Sequence, residues 1–452
     1  MICRGKKLTD KKAKKEGDGI IGKNGVFLRK SNHNSESSGY RTYEVYQRER
    51  VGESTEKIKP SELISEEYRI DPYPFLETLR ENYPCYRDWL SNCYWITKYN
   101  DVTSIFSDDA NFETRSKNFF LKAEGIGRDL GNELPVLFAQ EKSFDDETSE
   151  LSNTLVEELL EKKSADLATE FAAVLPLKIL SKQYGVTDEE SSQFAHRYWR
   201  MQRGTSWEPK LQMDGKNATQ ELIIFFADKI CAGEQKDMEN CLSAMIELGA
   251  NEKDVVATLL NTDHETMHGA LSNLWFHMLI SPEKFDEAKS SRRMLKLAYL
   301  ETLRHSPPVL SAERFALREV ERFGRLIPEG AKLICSAAAA NRDPQIFKNP
   351  EEFMVDRRDM CQREPRGQYR ADGLASGIAF ALGKPSIHPA VPEDRPRSRY
   401  AIIRDAAVSA SQILIDSTKD IKLKNGETPH LSSLTVGEMH TCWKLPVELQ
   451  AG

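Results

Sequence analysis

Apolar positions along the chain recur mainly at helical spacing. Leu151, Leu155, Leu159, Leu167, Phe171, Leu175 and Leu180 fall close to whole turns and predict a helical stretch over 147–180. Further helical patterns cover 188–203, 219–232 and 252–280, the last being the longest and stopped by Pro282. A helix over 293–305 ends at Pro307-Pro308, and another covers 398–415. Leu76 and Leu79 start a helix after Asp71-Pro72-Tyr73-Pro74-Phe75, and 102–106 reads as a short one. Strand-like runs are few and brief, at 93–97, 313–317, 332–336 and 445–449. No internal repeat occurs. The pattern predicts a mainly α protein with a small β part, in one large domain over residues 61–452.

Charge separates off the beginning of the chain. Residues 1–60 hold 15 Lys/Arg against 8 Asp/Glu, and Lys6 to Ser38 is rich in Lys, Gly, Asn and Ser with little periodicity. That composition predicts a solvated, disordered basic arm. The whole chain of 452 residues carries a net charge of −7, which makes it a poor general binder of nucleic acid. No apolar run is long enough to span a bilayer. The eight cysteines, Cys3, Cys85, Cys93, Cys231, Cys241, Cys335, Cys361 and Cys442, are scattered, with no CxxC pair. They suggest a reducing, cytoplasmic setting rather than a disulfide framework.

The candidate chemistry begins in the helix over 293–305. Glu301-Thr302-Leu303-Arg304 puts a carboxylate and a guanidinium one turn apart on one face. Alone such a pair means little. Here Pro308-Val309 follows, Arg314 lies on the next strand, and Ala339-Ala340-Asn341-Arg342-Asp343-Pro344 comes after a second strand. Asn349-Pro350-Glu351-Glu352-Phe353 then leads to Asp356-Arg357. In this order and spacing the set resembles the cytochrome P450 superfamily, and the resemblance covers roughly residues 65–450.

The resemblance implies the family's mainly α fold and a haem cofactor. It gives Glu301, Arg304 and Arg357 a structural role as a buried ion-paired lock, and Arg314 a place against a haem propionate. The family's haem loop, Phe-Gly-x-Gly-x-His-x-Cys-x-Gly, falls on Phe380-Ala381-Leu382-Gly383-Lys384-Pro385-Ser386-Ile387-His388-Pro389. Phe380 and Gly383 fit. Ile387 stands where the family has its iron-ligating cysteine, and an isoleucine cannot ligate iron. His388, one position on, is the candidate for a slipped ligand. Over the haem the family carries Ala-Gly-x-Glu/Asp-Thr. Here the stretch is Thr262-Asp263-His264-Glu265-Thr266, so Glu265 and Thr266 match the acid–alcohol pair that relays protons, and Asp263 replaces the glycine. The family's His-x-x-x-Arg propionate clamp is absent between Asn111 and Leu160.

The same helix contains His264-Glu265-Thr266-Met267-His268, an HExxH string that chelates zinc in metal hydrolases, with Glu283 or Glu287 as possible third ligands. Helix geometry sets both histidines about 200° from Thr266, so they and the threonine serve opposite faces. Lys384, Arg395, Arg397, Arg399 and Arg404 form a basic cluster that could receive an acidic protein partner. Trp275, Phe276 and the Leu155/Leu159/Phe171/Leu175 stripe read as core.

Three functional expectations follow. The first is a member with a degenerate haem site that acts as an auxiliary or binding partner in natural-product metabolism, handling a small apolar molecule. The second is an active haem enzyme with a non-cysteine axial ligand. The third is an HExxH metal hydrolase.

Overall fold

The computed structural model describes residues 57–106, 108–113, 127, 128, 130, 141–205, 208–233, 240–262, 264–359, 399–434 and 439–452, with backbone pairing at 20–21 and 27–28. For 141–144, 264, 265 and 399–401 the description is of backbone only. The sequence assigns 1–60 to a disordered arm; within it, β1 (Ile20–Ile21) pairs antiparallel with β2 (Phe27–Leu28), residues 57–60 are ordered with Ile58 buried and its carbonyl accepting from the Tyr86 hydroxyl, and the other residues lie outside the described ones.

Fourteen helices are described. The first are α1 (Glu66–Ile70), α2 (Tyr73–Asn82) and α3 (Tyr99–Phe106), followed by the long α4 (Glu141–Lys162). Ser65 caps α1 by accepting the Tyr68 amide, as expected of a serine at that place. Then come α5 (Val174–Gln183), α6 (Asp188–Arg203), α7 (Pro209–Ala232) and α8 (Cys241–Glu247). Pro209 stands at the first turn of α7, where its missing N–H costs nothing, and Gly233 closes the helix in the left-handed region at φ 69°. The centre is formed by α9 (Glu252–Leu260), α10 (His264–Ile280), α11 (Pro282–Lys289) and α12 (Arg292–His305). The last two are α13 (Ala337–Ala340) and α14 (Arg399–Ser417).

The β part is small, as the sequence predicts. A five-stranded sheet runs in the order β3 (Tyr86–Asp88), β4 (Cys93–Ile96), β10 (Lys332–Ser336), β7 (Ser311–Ala316), β5 (Phe112–Glu113). Only β10 and β4 pair parallel. A two-stranded pair, β8 (Val320–Arg322) and β9 (Arg325–Ile327), hangs from it. A second sheet has the order β11 (Thr418–Leu423), β14 (Pro446–Ala451), β6 (Ser164–Asp166), and β12 (His430–Ser433) pairs with β13 (His440–Lys444).

Two helical expectations need correction. The stretch 147–180 is not one helix. Lys163 takes φ 57°, and 164–166 turn into β6, which pairs with β14 far along the chain. Likewise 252–280 is two helices. Asn261 donates its side-chain amide back to the Ala257 carbonyl at 2.8 Å, and Thr262 donates its hydroxyl to the Leu259 carbonyl at 2.8 Å. The Asn261 and Thr262 amides reach only three residues back, to Thr258 and Leu259, so the last turn of α9 tightens and stops.

The core forms around α10. Trp275 is fully buried and donates its indole N–H to Ser411 of α14, while Leu155, Leu159, Phe171 and Leu175 pack into the same cluster. Asn273, also fully buried, donates to the Ser306 and His440 carbonyls and accepts from the Thr441 hydroxyl and the Cys442 amide. It therefore rivets α10 to β13 with every bond of its amide group in use. At Gly269 the approach is closer still: a Cβ there would lie 2.4 Å from Pro308 Cβ and 2.6 Å from Met439 Sδ. Helix propensity alone would favour alanine by about 1 kcal/mol. The methionine can swing aside but the proline cannot, so overpacking should win. Gly269→Ala is expected to destabilise by about 1–3 kcal/mol in urea unfolding; a gain in stability would contradict this packing. Among the described residues no helix is long and apolar enough to cross a membrane.

Candidate functional site

The best-defined site lies at the C-terminal half of α12. Glu301 and Arg304 are both fully buried one turn apart, and two bonds of 2.7 Å join them, from Arg304 Nε and Nη2 to the two carboxylate oxygens. Arg357 arrives from the loop after α13 and donates Nε to both oxygens at 3.1 and 3.2 Å. The Met354 amide adds a fourth donor. The remaining arginine N–H groups go to backbone carbonyls, Arg304 to Asn341, Pro350 and Glu352 and Arg357 to Lys348, Asn349 and Glu352, and Arg357 Nη1 also pairs with the Asp359 carboxylate at 3.2 Å. One buried anion thus holds two cations, and the cations hold the loop over 341–357. The geometry is that of a scaffold clamp, since no polar atom of the trio is left for a substrate.

Arg342 forms a second clamp beside it. It donates to the His305 carbonyl through Nε and Nη2, pairs with Glu351, and stacks over Tyr73 at 3.3 Å from the ring centroid. Behind it His277 and His305 share the Ser306 hydroxyl, at 2.8 and 3.0 Å. His305 Nε2 faces the Glu351 carbonyl, so that nitrogen must carry hydrogen. Its Nδ1 then accepts, Ser306 donates to it, and His277 donates to Ser306. Burial, reinforced by Arg342 and Arg304, pushes the His277 pKa down to about 3 and holds that of His305 well below its ordinary value.

Arg314 lies on β7 as expected and is buried, with its guanidinium 4.4 Å over the Phe106 ring and donating to the Glu313 carbonyl. Thr266 is buried in the first turn of α10, directly after the helix break. Asp263 and the side chains of His264 and Glu265 lie outside the described residues, as do Phe380, Gly383, Pro385, Ile387, His388, Lys384, Arg395 and Arg397. Arg404, counted in the basic cluster, pairs with its neighbour Asp405 at 2.7 Å and so presents little net charge.

His268 serves the core side of α10. Its ring packs edge-on between Trp199 and Trp443, it bonds to the Ala168 backbone, and burial pushes its pKa down to about 4. About 18 Å of helix separate it from the end of α10 at Ile280, beyond which Glu283 and Glu287 follow. Glu287 instead approaches Lys284. Among the described residues no group of three or more His, Cys, Asp or Glu side chains could hold a metal ion.

Sequence reasoning missed two sets of contacts on α9 and the break that follows it. Residues 127, 128 and 130 are strapped to α9: the Gly127 amide donates to the Lys253 carbonyl, the Arg128 amide to Asp254 and the Leu130 amide to the Thr258 hydroxyl. A Cβ on Gly127 would collide with the Asp254 carboxylate and backbone, which is the one signal a glycine could have given. From α6, Tyr198 reaches Thr262 and Gln202 reaches the Leu260 carbonyl. Their spacing of four residues on one helix face was the readable sign.

Comparison with known proteins follows this geometry. The cytochrome P450 family model matches residues 287–364, the span of both clamps. Pulcherriminic acid synthase of Bacillus subtilis strain 168 is 22% identical over 398 residues, covering 82% of this chain and 94% of its own. Polyketide biosynthesis cytochrome P450 PksS of the same strain is 24% identical over 359 residues, covering 71% and 85%. The solved PksS structure aligns with a TM-score of 0.69 at 21% identity, over 87% of this chain and all of that one. P450BioI, solved with an acyl carrier protein carrying a hexadecenoic acid, aligns equally well, with a TM-score of 0.69 at 20% identity over 85% and 100%.

Proposed function

The chain belongs to the cytochrome P450 superfamily, and from that footing we propose that it works in natural-product metabolism as a binding or auxiliary partner for a small apolar molecule, without thiolate-haem monooxygenation. The observation that carries the reading is Ile387, which stands at the ligand position of the haem loop. Two of the relatives act, by their names, in pulcherriminic acid and polyketide biosynthesis, which supports the setting.

The donor set fits thiolate-bound haem poorly. Burial raises the thiols of Cys335 and Cys442 to about 12 and that of Cys93 as well, which disfavours the thiolate form that iron ligation needs. Arg314 occupies its expected strand, but its guanidinium is stacked on Phe106 and bonded to Glu313. Asp263 takes the place of the glycine in the family's pattern. No chemical step is therefore derived through haem. What the chain's own residues supply is a rigid scaffold, Glu301 with its two arginines, and a central helix α10 whose first turn carries the buried Thr266.

One observation favours a second reading. Thr266 remains buried at the first turn of α10, where a hydroxyl could relay a proton, and His388 beside Ile387 could serve as a different axial ligand. Expression with a haem precursor separates the two. The protein is expected to purify without a Soret band and without stoichiometric iron. One iron per chain with a Soret band would sink the first reading in favour of the second. Stoichiometric zinc, lost in His264→Ala, would favour the metal hydrolase instead.

A further inference from the structure

The break between α9 and α10 is wired to α6. Thr262 has one hydroxyl hydrogen, and it points at the Leu259 carbonyl, 2.8 Å away. The Tyr198 hydroxyl, 3.0 Å from Thr262 Oγ1, must therefore donate to it. Gln202 completes the chain with both hydrogens of its amide, one to the Tyr198 oxygen and one to the Leu260 carbonyl, each at 3.0 Å. Tyr198 and Gln202 are themselves buried. Leu259 and Leu260 end α9, and their carbonyls are the acceptors that an unbroken helix would give to the amides of residues 263 and 264. Side chains of α6 and of the break itself compete for them here.

We propose that Gln202 and Tyr198 are positioning residues, holding the α9–α10 helix broken so that the placement of Glu265 and Thr266 depends on where α6 sits. The inference rests on the reading of Glu265 and Thr266 as the site pair, and it deepens that reading by naming what sets their geometry. In a continuous helix residues 264–266 would be turned and shifted relative to α9, because three intervening residues would adopt helical rise and rotation. Asn261 and Thr262 allow the break, and α6 decides it.

Gln202→Leu provides the test, because leucine fills the volume and donates nothing. It strands the buried Leu260 carbonyl, and the available remedy is for the residue 264 amide to take it and join the helices. Site-resolved hydrogen exchange on the full chain is expected to show the amides of 263–266 exchanging roughly tenfold more slowly than in the wild type. Protection in α12 and the urea midpoint should change little, which a merely structural role for Gln202 would not allow. Faster or unchanged exchange at 263–266 would overturn the proposal. Should Gln202→Leu fail to fold, Tyr198→Phe keeps the ring, removes the donor to Thr262 and should slow the same amides. Exchange needs neither haem nor ligand, so its outcome is independent of the haem measurement that tests the proposed function.

Discussion

Glu301→Ala is expected to leave the chain unfolded, or to lower its stability by about 3–5 kcal/mol if it folds. The carboxylate is fully buried and is the one acid between two buried guanidiniums. Its removal leaves Arg304 without a carboxylate partner and Arg357 with Asp359 alone in a low-dielectric interior, and the loop carbonyls that both guanidiniums bond lose the anion that holds them in register. Arg357→Ala should cost less, because Glu301 would keep both bonds from Arg304 and the one from the Met354 amide. The order of the two variants matters more than either number. Urea unfolding followed by circular dichroism reads both, and a Glu301→Ala protein within about 1 kcal/mol of wild type would refute the clamp.

Acid should unfold the protein well before its carboxylates are protonated in bulk. Four buried histidines are held neutral by desolvation: His277 down to about 3, His268 and His440 to about 4, and His305 well below its ordinary value. In the unfolded chain each would titrate near 6.5. Above that pH neither state binds the proton and the histidines do not affect the balance. Below it the unfolded state binds protons that the folded state refuses, so stability falls as pH falls, by about 1.4 kcal/mol per pH unit for each histidine. The loss accumulates from about pH 6.5 toward pH 4. Over the roughly 1.5 pH units between 6.5 and 5 the four histidines together give an expected loss of about 8 kcal/mol. Denaturant midpoints measured across that range check it. A midpoint unchanged from pH 7 to pH 5 would contradict the neutral cluster. His277→Phe, which keeps a ring against Phe353, should lessen the slope.

How far the sequence could be read depended on how local the cause was. The helix over 292–305 and the strands 311–316 and 332–336 were legible because prolines and apolar alternation mark them within a few residues. The Glu301–Arg304–Arg357 trio was legible because its motif is local in two places. Its backbone acceptors at Asn341, Lys348 and Pro350 were not, since every residue offers a carbonyl. The turn at Lys163 escaped notice because its cause, pairing of Ser164 with Glu448, lies nearly three hundred residues away. The break after Leu260 escaped because Val255, Val256, Leu259 and Leu260 continue the helical pattern into it, and only Gln202 and Tyr198 from another helix complete the alternative bonding. The stretch 380–389, which the resemblance aligns with the family's haem loop, lies outside the described residues, and its reading rests on the sequence, where Ile387 falls at the cysteine position of the pattern.

That position can be tested at the iron. The wild-type protein, supplied with haemin, reduced and exposed to carbon monoxide, is predicted to lack the strongly red-shifted band that a cysteine thiolate opposite the gas produces. Such a band, formed at one haem per chain, would show a thiolate ligand despite Ile387 and would contradict the account.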